Sequence, residues 1–144
     1  MNLDLKYQDD YDKLQQTCPP SDHIQKDIEP VFRWVFDSIE DDRNFISQYH
    51  KNPKRFLNKD DLTKCKALGL SLFNNLDGST ERFQELKDII GETVYFTLGT
   101  QLAKGSIKFN DGVNGKIERL GHFTHHSSST ANYENNFALM NKIL

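Results

Sequence analysis

The residues best placed to do chemistry lie late in the chain. Gly121-His122-Phe123-Thr124-His125-His126 holds three of the five histidines. Imidazole is the commonest metal ligand, and three could bind zinc with a fourth position open. An extended chain works against the simplest version of that site. His122 and His125 would point to opposite faces, and His122 and His126, sharing a face, would stand roughly 13 Å apart. One ion would be reached only if the chain turned near His125, or if Cys65 or a carboxylate joined from elsewhere. No metal or cofactor is therefore expected, and the histidines read as polar groups at the rim of a strand.

A second candidate is electrostatic. From His50 through Lys66 there are six basic residues against two acids. Lys51, Lys54, Arg55, Phe56, Lys59 and Lys64 form the expected binding set, able to meet phosphates or an acidic partner. Phe56 could add stacking on single-stranded nucleic acid. Residues 1–30 carry the opposite bias, seven acids and three lysines. The net charge of −3 is thus the sum of an acidic leader at −4, a basic segment at +4 and a nearly balanced remainder at −3. Gly112, Gly115 and Gly121 have the spacing of turns, not of a phosphate loop or dinucleotide fingerprint.

Arg33, Ser71 and Glu118 make a third set, spread along the chain. Arg33 lies among large apolar residues, Ser71 opens a short strand that leads through a loop into a helix, and Glu118 is placed on a late strand. This order resembles the Arg–Ser–Glu pattern of the ADP-ribosyltransferases. The resemblance implies that Arg33 holds a diphosphate, Ser71 supports the nicotinamide side and Glu118 stabilises a ribosyl cation. That division of labour is physically sensible, because diphosphate calls for a bidentate cation and an oxocarbenium-like centre calls for a carboxylate. Ser71-Leu72-Phe73 lacks the second hydroxyl of the family's Ser-Thr-Ser, and Lys116 stands where Glu or Gln usually precedes the glutamate by two. His122-Phe123-Thr124 in turn resembles one half of the His-x-Thr pattern of the two-histidine phosphoesterases, whose second half this chain lacks. The plainer reading pairs Arg33 with an acid at a sheet edge and leaves Ser71 as ordinary polarity.

The elements that must position these groups can be read from periodicity and punctuation. Leu3, Tyr7, Tyr11 and Leu14 share one face of a short helix that Cys18-Pro19-Pro20 ends. Val31 through Phe36 favours a strand by β-branched and aromatic content. Helices are expected over 40–51, with Phe45, Ile46 and Tyr49 inward, and over 62–68, capped by Asp61 and closed by Gly69 in a left-handed conformation. Leu70 to Phe73 reads as a strand. A third helix starts at Ser79, carries Phe83, Leu86, Ile89 and Ile90 as its apolar stripe, and stops at Gly91. Thr93–Leu98, Ser106–Phe109 and Lys116–Thr124 read as strands, with turns at Asn110-Asp111-Gly112 and Asn114-Gly115. Phe137 to Leu144 reads as a docking helix.

Helices first and strands last give an α+β fold, N-terminal helices packed on a mainly antiparallel C-terminal sheet. At 144 residues the chain suits a single domain: an acidic leader over 1–30, a core over 31–126, and a polar tail with its docking helix over 127–144. Mean hydropathy of −0.70 and the lack of any long apolar run exclude a membrane span. Cys18 and Cys65 are too few for a disulfide framework, and the start of the chain lacks the pattern of a signal peptide. The expected location is therefore the cytoplasm, with both thiols reduced and Cys65 buried and inert. The reading the sequence favours is a small binding or accessory protein acting through protein contacts. Its alternative is a small enzyme acting on a nucleotide or phosphate ester, with Arg33, Ser71, Glu118 and His122 as catalytic residues.

Overall fold

A computed structural model describes residues 3–144; Met1 and Asn2, where the acidic leader begins, lie outside the described residues. Its centre is one antiparallel sheet of six strands in the order β4-β5-β2-β1-β3-β6. The strands are β1 (Ile28–Val35), β2 (Leu70–Phe73), β3 (Gln101–Ile107), β4 (Gly112–Asn114), β5 (His122–Ser127) and β6 (Phe137–Ile143). Around it lie α1 (Gln8–Asp12), α2 (Gln48–Lys51), α3 (Asp61–Ala67), α4 (Leu76–Ile90), α5 (Val94–Thr97) and α6 (Tyr133–Asn136). The α+β class holds. The two central strands, however, come from the first half of the chain, so the sheet is not a C-terminal unit. Among the described residues no helix is long and apolar enough to cross a membrane.

Strand β1 is central because both its faces are apolar. Val31 and Val35 enter one core cluster with Leu70, Leu72, Ala103 and Phe123, while Phe32 and Trp34 pack with Phe73 and Leu102 in another. Successive side chains alternate sides, so a strand that reads as continuous apolar residues buries both. The Trp34 indole N–H donates to the Ser79 carbonyl at 3.0 Å and ties α4 to the second face. Tyr7, Tyr11 and Leu68 form a third cluster under the leader with Leu5 and Leu14 packed against it; Leu3, expected on the same helical face, is not in it, and α1 spans only Gln8–Asp12.

Several local expectations change. Residues 40–47 are not helical, because side chains compete for the backbone there. Buried Asn44 accepts from the Phe36 N–H at 2.7 Å, and its amide donates to the Ser38 carbonyl at 2.7 Å. Its own carbonyl is taken by Arg33 Nε at 2.6 Å. Only Gln48–Lys51 completes a turn, capped by Ser47. Helix α3 is capped by Asp60 rather than Asp61, with the Thr63 N–H donating at 2.8 Å. Gly69 has no left-handed φ; it is needed because a Cβ would run into Thr124 and the His125 backbone. Helix α4 starts three residues earlier than Ser79, since Asn75 accepts from the Gly78 N–H at 2.8 Å. Of its expected stripe, Phe83 is buried and Ile89 and Ile90 are exposed.

The segment 93–98 forms a helical turn instead of a strand. Val94 is its one buried side chain, and the Thr97 hydroxyl closes the turn on the Thr93 carbonyl at 3.2 Å. Residues 137–143 form edge strand β6 on β3, not a docking helix; the Phe137 ring sits directly over Gly105, where a Cβ would collide with it. Cys18 and Cys65 are joined by a disulfide across 47 positions of sequence, so the expected free thiols are absent and the leader is tethered to α3.

Candidate functional site

Strands β1 and β2 are neighbours in the sheet, yet their registered pairing is confined to Phe32 opposite Phe73. Beyond that point they part. Arg33 occupies the gap, donating from its guanidinium to the Ser71 carbonyl at 2.9 Å and, through Nε, to the Asn44 carbonyl. A carbonyl that would otherwise accept from a neighbouring strand accepts from a side chain instead. The fork opens into a cleft of about 600 Å³, lined by Arg33, Ser71, Glu118 and His122 together. All four residues of the enzyme alternative therefore meet in one place.

The cleft is strongly cationic. Arg33, Lys51, Arg55, Lys66, Arg82 and Arg119 line it against a single carboxylate, Glu118. Arg82 and Arg119 are both held by Glu85. Arg33, Lys51, Arg55 and Lys66 have no carboxylate within salt-bridge distance among the described residues. Arg33 is buried, at 7% exposure, with only carbonyl oxygens and the Phe45 ring for company. Burial lowers its pKa to about 10. Lys51 is pushed down to about 7 by burial, then by the charges of Arg33 and Arg43. Buried Arg33 and half-buried Lys51 thus repel each other with no carboxylate in salt-bridge range of either among the described residues.

On the cleft floor His122 Nε2 lies 3.1 Å from Ser71 Oγ, and its Nδ1 lies 3.4 Å from Glu118 Oε1. The register produces the first contact: Ser71 pairs with Thr124, and His122, two residues back on β5, projects from the same face. A tight loop produces the second. Glu118 is not on a strand but in the turn before β5, where its N–H donates to the His122 carbonyl at 2.6 Å. Leu120 and Gly121 both adopt left-handed φ, +63° and +79°, which reverses the chain between the two side chains. A Cβ at Gly121 would strike the Asn74 side chain, so the loop can seat against the start of α4 only with glycine there. Burial lowers the His122 pKa, opposed by Glu118, so the ring is held neutral.

The other histidines do different work. His125 and His126 are buried, not placed at a rim. His125 bonds Asn114 Oδ1 at 2.6 Å and the Tyr133 hydroxyl at 2.7 Å; His126 bonds the Tyr11 hydroxyl at 2.9 Å. No group of three potential ligands is poised for a metal among the described residues. Thr124, the partner of His122 in the phosphoesterase-like pattern, lines a separate pocket of about 180 Å³.

Of the expected binding set, Lys51, Arg55 and Phe56 line the main cleft, whereas Lys54, Lys59 and Lys64 do not. Lys66, which closes the basic stretch, lines it too, while sequence reasoning missed Trp34, Arg82 and Arg119. Nothing in their spacing marks them, since they converge only through the fork and the turn before β5. Comparison with protein-family models, curated proteins and solved structures finds no match to this chain.

Proposed function

We propose that the protein is an enzyme acting on a nucleotide or phosphate ester, which it holds by phosphate groups against Arg33 and Lys51. The observation that carries this reading is the convergence of Arg33, Ser71, Glu118 and His122 on one cation-rich cleft. Guanidinium and ammonium groups suit phosphate oxygens, and a neutral histidine beside a carboxylate suits proton transfer. Half-buried Trp34, which also lines the cleft, offers aromatic surface to a base or sugar. Two chemistries fit the same floor. The ADP-ribosyltransferase-like one uses Arg33 for the diphosphate and Glu118 for the ribosyl cation; the phosphoesterase-like one uses His122 for acid–base work. Incubation with NAD and with a set of phosphate monoesters and anhydrides, followed for nicotinamide and for inorganic phosphate, tests both. Release of either product that is lost in Arg33→Met supports the reading. Release of neither across the set overturns it.

The accessory-protein reading keeps one support of its own. Lys54 and Lys59 are exposed outside the cleft near two exposed leucines, Leu57 and Leu62. Such a mixed basic and apolar arm suits an acidic protein partner. A defined partner whose binding is lost on reversing Lys54, Lys59 and Lys64 to Glu, with cleft ligands still bound, would establish it. The cytoplasmic location expected from the sequence stands against the Cys18–Cys65 bond, because a reducing cytosol keeps thiols free. Thiol trapping in acid-quenched cells separates the two: a blocked, bridged pair places the protein in an oxidising compartment.

A further inference from the structure

Ser71 is exposed on the cleft floor, and its hydroxyl has one side-chain partner, His122 Nε2 at 3.1 Å. The far nitrogen of that ring faces Glu118 Oε1 at 3.4 Å. An ionised carboxylate only accepts hydrogen bonds, so the tautomer with its proton on Nδ1 is the one that suits Glu118, and that tautomer presents the Nε2 lone pair to Ser71 O–H. Hydroxyl, imidazole and carboxylate in that sequence are the parts of an activated nucleophile: an attacking group, its base, and a group that fixes the base's tautomer. Elsewhere in the protein the buried histidines bond Asn114 and the buried hydroxyls of Tyr133 and Tyr11, and neither bonds an exposed hydroxyl. The relay is also beside the unpaired cations, so a phosphorus atom held by Arg33 and Lys51 would lie in the same cleft as the nucleophile.

We propose that Ser71 is a nucleophile activated by His122 and oriented through Glu118, and that it takes up a phosphoryl group from a phosphate ester or anhydride. The inference rests on the cleft being a phosphate site. Ser71 Oγ attacks phosphorus and forms the Oγ–P bond while the bond from phosphorus to the leaving oxygen breaks. The Ser71 proton passes to His122 Nε2, and the resulting imidazolium returns it to the leaving oxygen. Water, deprotonated by His122, then attacks phosphorus and the Oγ–P bond breaks; the imidazolium returns that proton to Ser71 Oγ, releasing phosphate and restoring both the hydroxyl and the neutral ring. Glu118 does not touch the reacting atoms; it is a positioning residue that holds Nδ1–H and stabilises the imidazolium. Arg33 and Lys51 carry the charge of the transferred group.

A fluorophosphonate probe reads the relay without knowledge of the natural substrate. Attack by Ser71 forms an Oγ–P bond and expels fluoride, with the proton again going to His122. Mass spectrometry of the intact, disulfide-bonded chain after digestion is expected to find one adduct, on the peptide holding Ser71. Ser71→Ala abolishes it, and His122→Gln slows labelling by at least about 100-fold. Should His122→Gln fold poorly, Glu118→Gln keeps the test: about tenfold slower labelling, with a changed pH profile of labelling that a merely structural role would not produce. Labelling of the unaltered chain rises with pH as His122 loses its proton, under the influence of Glu118 from the loop, Arg82 from α4 and Lys66 from α3. Absence of a Ser71 adduct, or an adduct whose rate ignores both His122→Gln and Glu118→Gln, overturns the inference. Pyrophosphate binding measured on the same preparation separates the two levels. Binding without labelling removes the Ser71 relay and leaves the phosphate cleft, whereas His122-dependent labelling without binding removes the phosphate cleft and leaves the relay.

Discussion

Arg33 donates to the carbonyl of Ser71 at 2.9 Å across the gap where β1 and β2 part. One hydrogen bond thus joins the buried cation to the strand that carries the candidate nucleophile. It also explains why the fork persists: the guanidinium satisfies a carbonyl that sheet pairing would otherwise have satisfied, and with Asn44 it holds the 36–47 segment away from a helix. The cleft is the space left by that arrangement.

A buried cation with no carboxylate beside it is costly to folding. Arg33→Met keeps the volume and removes the charge. Its thermal midpoint is expected to fall by several degrees, because the Asn44 and Ser71 carbonyls lose their donor and relief of the buried charge offsets only part of that loss. Affinity for pyrophosphate is expected to fall by about tenfold or more. Calorimetry and thermal unfolding on one preparation check both.

Lys51 gives the cleft a pH dependence. With its pKa lowered to about 7 by burial, it is charged below that value and neutral above it. Phosphate binding favours the charged form, so binding takes up a proton. Affinity for sulfate, whose charge is constant over this range, is expected to weaken from about pH 7.5 to about pH 9.5. Lys51→Arg, which stays charged across that range, is expected to flatten the profile. Titrations in buffers of different ionisation enthalpy would measure the proton uptake directly.

Buried His125 and His126 set the acid limit of the fold. Burial lowers both to about 3, with repulsion from His126 adding to His125 and repulsion from His23 to His126. In the unfolded chain they take up protons below about pH 6.5, whereas the folded chain resists until about pH 3. The stability they contribute is therefore complete above pH 6.5 and is lost as pH falls between those values. Urea unfolding is expected to show a loss of about 2–3 kcal/mol per histidine by pH 4.5. His126→Gln is expected to reduce that slope, even if it lowers stability at neutral pH.

The Cys18–Cys65 bond closes a loop of 47 positions and ties the leader to α3. Chain-entropy reasoning gives it about 4 kcal/mol of stabilisation. Reductant, or replacement of both cysteines by Ser, is expected to lower the thermal midpoint and to increase amide exchange over α1 first. An unchanged midpoint under reductant would show that the leader is held by Tyr7, Tyr11 and Leu68 packing alone.

Much of this site was legible as residue types and little of it as geometry. Arg33, Ser71, Glu118 and His122 stood out because each is a chemical group next to apolar residues, and β1 and β2 were legible because their runs are short, β-branched and aromatic. The fork between those strands was not, because it depends on the Asn44 carbonyl, whose capture by Arg33 no local pattern encodes. Residues 93–98 and 137–143 exchanged their expected types for one reason: intrinsic preference is weak for short apolar runs, and available sheet edges decide. His125 and His126 read as rim groups, and are instead buried, because spacing reveals types but not burial. The disulfide was hidden because two isolated cysteines carry no framework pattern.

The central claim is that the cleft at the fork binds phosphate. Isothermal titration of the full disulfide-bonded chain with ADP, and with adenosine as the uncharged control, tests it most directly. The account predicts one site per chain for ADP, weakened by rising salt, competed by pyrophosphate and lost in Arg33→Met, with adenosine binding far more weakly. Equal binding of ADP and adenosine, or ADP binding unchanged in Arg33→Met, would contradict it.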